Sequence, residues 1–172
     1  GWPERFDVIE WIKLIISWNS NAQIILHGVS MGAATVLMAS GEELPENVKA
    51  IIADCGYTSE WDEFKCEANA LHIPWFPVLN AASVMSRLRD GYDFKQASAL
   101  EKVKQSRIPT LFIHGSDDEL VPYSMLDKLY SAAACEKECL TVNGAGHALS
   151  SSVEPELYWN TVESFIDKYL EK

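Results

Sequence analysis

Positive charge is scarce in this chain. Its 14 lysines and arginines stand against 25 aspartates and glutamates, a formal net charge of −11 over 172 residues. That balance argues against nucleic acid as a partner, because a run of phosphates has to be neutralised by cations. Cysteine is sparse as well: Cys55, Cys66, Cys135 and Cys139 do not make a disulfide framework of the small secreted kind. Cys135 and Cys139 would suit a metal pair, but no second Cys/His pair of matching spacing accompanies them. All four therefore read as reduced thiols, as in a cytoplasmic segment, and no metal or cofactor is implied. Long apolar runs are missing too. The stretch from Val8 to Trp18 is broken by Glu10 and Lys13 and is too short to span a bilayer. It also lacks the charge pattern and cleavage site of a signal peptide. There is no internal repeat, low-complexity tract or linker, so residues 1–172 read as one domain.

Apolar residues are plentiful, at 48%, enough for a substantial core. Val8, Ile9, Trp11, Ile12, Ile15 and Ile16 recur at helical spacing and predict an opening helix that faces the core. Strands are predicted at Gln23–His27, Lys49–Ala53, Thr110–His114 and Cys139–Val142. The first three carry continuous apolar runs, Ile24-Ile25-Leu26, Ala50-Ile51-Ile52-Ala53 and Leu111-Phe112-Ile113, which suit a parallel sheet buried on both faces. Helices are predicted at Gly32–Ser40, Tyr123–Ala134 and Glu156–Leu170. The alternation implies right-handed crossovers and a doubly wound, mostly parallel α/β sheet. The rhythm breaks over residues 59–103, where no strand is predicted. The proline-bracketed His72-Ile73-Pro74-Trp75-Phe76-Pro77 and a helical stretch from Val78 to Arg89 read as a helical cap insertion over the carboxyl edge of the sheet. Alternatively, Trp75 and Phe76 are ordinary core residues.

Gly28-Val29-Ser30-Met31-Gly32 joins the first strand to the first crossover helix. Strand, G-x-S-x-G, helix is the context of a nucleophile elbow, with glycines that let the two elements approach. The bland alternative is a turn whose serine merely caps the helix. A serine nucleophile needs a base, and the base needs an acceptor that fixes its tautomer. His114-Gly115-Ser116-Asp117-Asp118 follows the third strand, and Asn143-Gly144-Ala145-Gly146-His147 follows the fourth. Each alone would pass for a solvated loop. Together, serine, acid and histidine stand in the chain order of an α/β-hydrolase triad, all at strand ends where such sheets bind ligands.

Gly28-Val29-Ser30-Met31-Gly32, His114-Gly115-x-x-Asp118-x-x-Val121-Pro122 and Gly144-Ala145-Gly146-His147 resemble the motifs of bacterial α/β-hydrolases. Phe76-Pro77-Val78-Leu79-Asn80 and Gly91-Tyr92-x-Phe94 are similar to the cap of a group of largely uncharacterised serine hydrolases from Gram-positive bacteria. The resemblance covers essentially the whole chain. It implies that Ser30 is the nucleophile, His147 the general base and then acid, and Asp118 the residue that orients His147. Asp117 is the neighbouring alternative, and Asp54, at the end of the second strand, is another. Met31 would supply one oxyanion donor through its backbone N–H. His72, Trp75 and Phe76 are candidates for the substrate pocket, whereas His27 and His114 read as structural. The implied activity is hydrolysis through an acyl-enzyme, and the apolar cap with no implied cofactor or metal points to a small carboxylic ester, with thioesterase, peptidase or amidase activity, or a non-catalytic binding domain, as the alternatives.

Set against that family pattern, only one helix precedes the nucleophile strand, and the loop that would complete the oxyanion hole is missing. The expectation is a chain truncated at its amino end and weakly active alone, because losing one oxyanion donor costs roughly a hundred- to a thousandfold. The absent region would be the place for a signal or anchor. The strand at 23–27 would be left as an apolar edge, open to self-association or to a retained amino-terminal piece.

Overall fold

The computed structural model describes residues 1–170. Its elements are α1 (Glu4–Trp18), β1 (Ile24–Val29), α2 (Met31–Ala39), β2 (Val48–Asp54), α3 (Glu60–Ala70) and α4 (Trp75–Asp90). These are followed by α5 (Ala99–Val103), β3 (Thr110–Gly115), α6 (Ser124–Ala132), β4 (Lys137–Val142), α7 (Ser150–Val153) and α8 (Pro155–Ile166). Among the described residues the four strands form one parallel sheet in the order β1-β2-β3-β4. This is the parallel α/β arrangement the alternation predicts, with α2, α5 and α6 on one face and α8 on the other. No helix among the described residues is long and apolar enough to cross a membrane.

Strand periodicity explains the apolar runs. Successive side chains of a strand point to opposite faces, so a run without alternation feeds two cores at once. Ile51 and Phe112 join the core on the face covered by α1, α2, α5 and α6, whereas Ile52, Leu111 and Ile113 join the core on the other face, with Tyr158, Val162 and Phe165 of α8. All of these are buried, and each such aliphatic or phenylalanine side chain stabilises the fold by about 1.5–3 kcal/mol. The edge strands differ. In β1, His27 and Val29 are exposed while Ile24, Leu26 and Gly28 are buried, so its apolar run is covered fully on one face only. The opening helix departs from expectation similarly. Ile12 is buried and Val8, Ile15 and Ile16 pack against the core, but Trp11 is 62% exposed. Helical spacing places Trp11 beside the core-facing residues, on the rim of the buried stripe rather than within it.

Residues 59–103 hold α3, α4 and α5 and no strand beyond a single antiparallel bridge, Ser59 to Ser98. That bridge pins the two ends of the insertion together, helped by Glu60 N–H to Ala97 O at 3.0 Å and Leu100 N–H to Thr58 O at 3.0 Å. Ser59 caps α3 by accepting from the Asp62 N–H, and Glu60 and Asp62 complement the positive end of that helix. α4 packs on α3, is kinked at Phe76 and ends at the left-handed Gly91.

Two glycines set how closely the strand ends approach their loops. A Cβ on Gly28 would lie 2.3 Å from the Gly32 carbonyl, whereas one on Gly32 would meet no neighbouring element within 4 Å. Only the first glycine of the G-x-S-x-G motif is thus demanded by close approach. A Cβ on Gly115 would lie 2.1 Å from the Ala145 carbonyl oxygen, backbone against backbone. Gly115→Ala is therefore expected to destabilise the protein by about 1–3 kcal/mol, the range for overpacking. Thermal denaturation checks this, and an unchanged Tm would contradict it.

Candidate active site

The three strand ends that the sequence singled out converge. Ser30 stands between β1 and α2 with φ 54° and ψ −118°, a left-handed conformation costly for a side-chain-bearing residue. It occupies the N-cap position of α2, yet its side chain makes no capping bond. Its Oγ lies 2.7 Å from His147 Nε2 instead. The capping alternative is thereby excluded. His147 Nδ1 lies 2.8 Å from Asp118 Oδ2. A carboxylate oxygen only accepts, so Nδ1 carries the imidazole hydrogen, Nε2 presents its lone pair, and the Ser30 hydroxyl donates to it.

Asp118 has no exposed side-chain surface. Its Oδ1 accepts from the backbone N–H groups of Leu120 at 3.0 Å and Val121 at 2.9 Å. Its Oδ2 is shared between His147 and His114 Nε2, the latter at 3.2 Å. Burial alone would raise the Asp118 pKa. The hydrogen bonds from His114, His147 and Val121 outweigh it and hold the carboxyl below its ordinary value. The competing carboxylates are placed differently. Asp117 is exposed and accepts from the Ser116 hydroxyl at 2.6 Å. Asp54 is buried and accepts from Ser150 Oγ at 3.2 Å, and burial pushes its pKa up.

The loops that carry acid and base are laced together. Ser116 N–H donates to Val142 O and Asp117 N–H to Ala145 O, each at 3.0 Å. Gly144 N–H donates to Ser116 Oγ at 2.8 Å. The Asp54–Ser150 bond then ties the segment just beyond His147 to the end of β2. Met31 opens α2, so its N–H has no partner within the helix and lies next to Ser30. Cys55, with φ 47°, brings its sulfur within 4.8 Å of Asp118 and His147 ligand atoms. Burial, together with the Asp54 charge, pushes that thiol up to about 12, so it stays neutral.

The cap candidates are not gathered with these three. Trp75 helps line an apolar cleft of about 290 Å³ between α3 and α4, with Phe64, Ile73, Val78, Leu79 and Phe94. Its ring contacts run to Trp61 and Phe76. Phe76 is 66% exposed at the helix kink, and His72 is exposed with φ 57°. Sequence reasoning missed Cys55, Ser150 and Glu63. No motif marks them, since each reaches the site only through the packing of its element.

A family model described as the prolyl oligopeptidase family, a peptidase S9 group, matches residues 4–172. The uncharacterised protein YqkD of Bacillus subtilis is 29% identical over 169 residues, 97% of this chain and 55% of that protein. Human alpha/beta hydrolase domain-containing protein 17C is 30% identical over 106 residues, covering 60% of this chain and 32% of that protein. Among solved structures, an esterase of Pyrococcus furiosus superposes with a TM-score of 0.75 at 19% identity, covering 98% of this chain and 63% of that one. The chain thus spans about half the length, or less, of the curated relatives it matches.

Glu63 on α3 is buried, and its Oε2 has no hydrogen-bond partner among the described residues. Burial first, then the charges of Glu67 and Asp118, push its pKa up to about 7. An acid whose pKa is raised on folding binds its proton more tightly in the native state. Its folded form is favoured below the unfolded pKa and loses that advantage as pH climbs towards 7. Glu63→Gln is therefore expected to gain stability over the wild type with rising pH, by about 2–3 kcal/mol between pH 4.5 and 8. Urea denaturation at the two pH values measures this, and a gap that stays constant would contradict it.

Proposed function

The chain belongs to the prolyl oligopeptidase family, within the α/β-hydrolase superfamily, and from that premise we propose a serine hydrolase that cleaves a carboxylic ester through an acyl-enzyme on Ser30. The observation that carries the proposal is the unbroken line of hydrogen bonds from Ser30 Oγ to His147 at 2.7 Å and from His147 to Asp118 at 2.8 Å.

In this reading His147 Nε2 takes the hydroxyl proton as Ser30 Oγ attacks the carbonyl carbon. Negative charge develops on the carbonyl oxygen, and the Met31 N–H at the positive end of α2 is placed to stabilise it. The imidazolium, held by Asp118, then delivers its proton to the departing alcohol oxygen. Water enters, loses a proton to His147 and releases the acid by the reverse sequence. Asp118 remains ionised throughout. Its role is to fix the Nδ1–H tautomer and to offset the positive charge that His147 acquires.

An ester is favoured by the likeness in fold to an esterase. An amide or peptide bond is the second reading, and the family's peptidase membership favours it. The two differ in the leaving group that His147 must protonate. The substrate is a small molecule in either case, and no cofactor enters the scheme.

A fluorophosphonate probe tests the proposal, applied to the protein extended to the full length of its relatives. Labelling is expected in the wild type and is expected to vanish in Ser30→Ala. Asp118→Asn should slow labelling by roughly ten-thousandfold, as expected when the imidazole is held in the wrong tautomer. Labelling that persists in Ser30→Ala would overturn the assignment. Relative kcat/KM on matched ester, thioester and amide substrates then separates the readings.

A further inference from the structure

Helix α4 is turned inside out relative to an ordinary surface helix. Its buried positions are Leu79, Ser83 and Ser86, two of them hydroxyls. Both hydroxyls are used within the cap: Ser86 Oγ donates to Tyr92 O at 2.9 Å, and Ser83 Oγ accepts from the Phe94 N–H at 3.1 Å. The solvent side carries Val84, Met85 and Leu88, which are 57%, 61% and 78% exposed. At about 3.6 residues per turn, Pro77, Ala81, Val84 and Leu88 fall in one exposed row opposite the buried one, with Met85 beside it. A surface helix ordinarily turns its apolar stripe to the core. A contiguous apolar row on the solvent side is instead the mark of an interaction surface.

Charge decides which occupant fits. The chain carries a net charge of −11, yet no acidic residue stands between Glu67 and Asp90. Arg87 and Arg89 flank the apolar row, one on each side, with side chains 73% and 84% exposed. The carboxylates they approach, Asp93 at 3.8 Å and Asp90 at 4.0 Å, lie beyond hydrogen-bond length. Each guanidinium therefore keeps donors to spare. On the Arg87 side, Lys95 shares a shallow pocket with Val84, Arg87 and Asp93. On the Arg89 side, the exposed Val78 and Ile73 line the cleft between α3 and α4, so apolar surface continues from the row into it. An anionic lipid surface satisfies both features at once. Arginine stems run along apolar material while their heads reach phosphates. A second copy of the chain fits less well, because a two-fold contact through this face gathers the arginines of both copies at one interface.

We propose that this face of α4 docks the protein on a membrane surface that carries anionic lipid. The helix lies in the plane of the interface, with Val84, Met85 and Leu88 against the upper acyl chains and Arg87 and Arg89 level with the phosphates. The contact is peripheral, since the helix runs along the surface and does not cross it. The acidic remainder of the chain is repelled by the same lipids, which orients the protein with its cap towards the membrane. The inference concerns binding and does not rest on the roles proposed for Ser30, His147 and Asp118.

Flotation with lipid vesicles tests this on the full-length protein. Vesicles of phosphatidylcholine with about a third phosphatidylserine are expected to carry the wild type, and vesicles of phosphatidylcholine alone to bind it roughly tenfold more weakly. The double variant Met85→Ser with Leu88→Ser is expected to bind the mixed vesicles more than about tenfold more weakly. Arg87→Gln with Arg89→Gln should weaken binding by about tenfold and lose most of the preference for phosphatidylserine. All four positions are exposed, so both double variants should keep the wild-type Tm, which thermal denaturation checks. A wild type that stays unbound, or folded double variants that bind as tightly as the wild type, would overturn the proposal. So would dimerisation in sedimentation that vanishes in Met85→Ser with Leu88→Ser, because a second copy would then be the occupant of the face.

Discussion

A carboxylate withdrawn from water survives only if its oxygens are given hydrogen bonds, and Asp118 is such a carboxylate. Four donors converge on it: two backbone N–H groups of its own loop and two imidazoles, from the end of β3 and from the loop after β4. Much of the surrounding structure serves that convergence. Gly115 lets the two loops touch backbone to backbone, and the bonds through Ser116, Asp117, Gly144 and Ala145 lace them. The parallel register of β3 and β4 then carries His147 to the same end of the sheet.

The other half of the arrangement depends on backbone strain. Ser30 holds a left-handed conformation that an ordinary helix cap would not require, and Cys55 holds another at the end of the neighbouring strand. Strain of this kind persists where the surroundings over-determine it. Here Ser30 N–H is bonded to Asp54 O at 2.8 Å, and the tight approach at Gly28 fixes the turn from behind. The hydroxyl is thus presented by the backbone and received by His147. Asp54, which by sequence competed with Asp118, contributes instead by tying the segment beyond His147 through Ser150.

Much of this was legible in the residues. Apolar runs such as Ile51-Ile52 and Leu111-Phe112-Ile113 announce strands with a core on each side, and the sheet bears them out. Order along the chain then located serine, acid and histidine at the ends of the first, third and fourth strands. The motif spacing already favoured Asp118 over Asp117 and Asp54, and the coordinates add where each side chain lies, Asp118 against His147 and Asp117 in solvent. Trp11 was misjudged because helical spacing alone does not say how wide the buried stripe is. Glu63 was invisible for another reason. On its own helix it is one acid among several, and only the packing of α3 shows its carboxyl buried without a hydrogen-bond partner among the described residues.

The most direct test of the account is a crystal structure of the full-length protein after reaction with a phosphonate ester. The expected result is a covalent bond from Ser30 Oγ to phosphorus, with one phosphonyl oxygen within hydrogen-bonding distance of the Met31 N–H. His147 would remain joined to Asp118. A phosphonate attached to any other residue, or a Ser30 adduct with His147 bonded elsewhere than Asp118, would contradict the account.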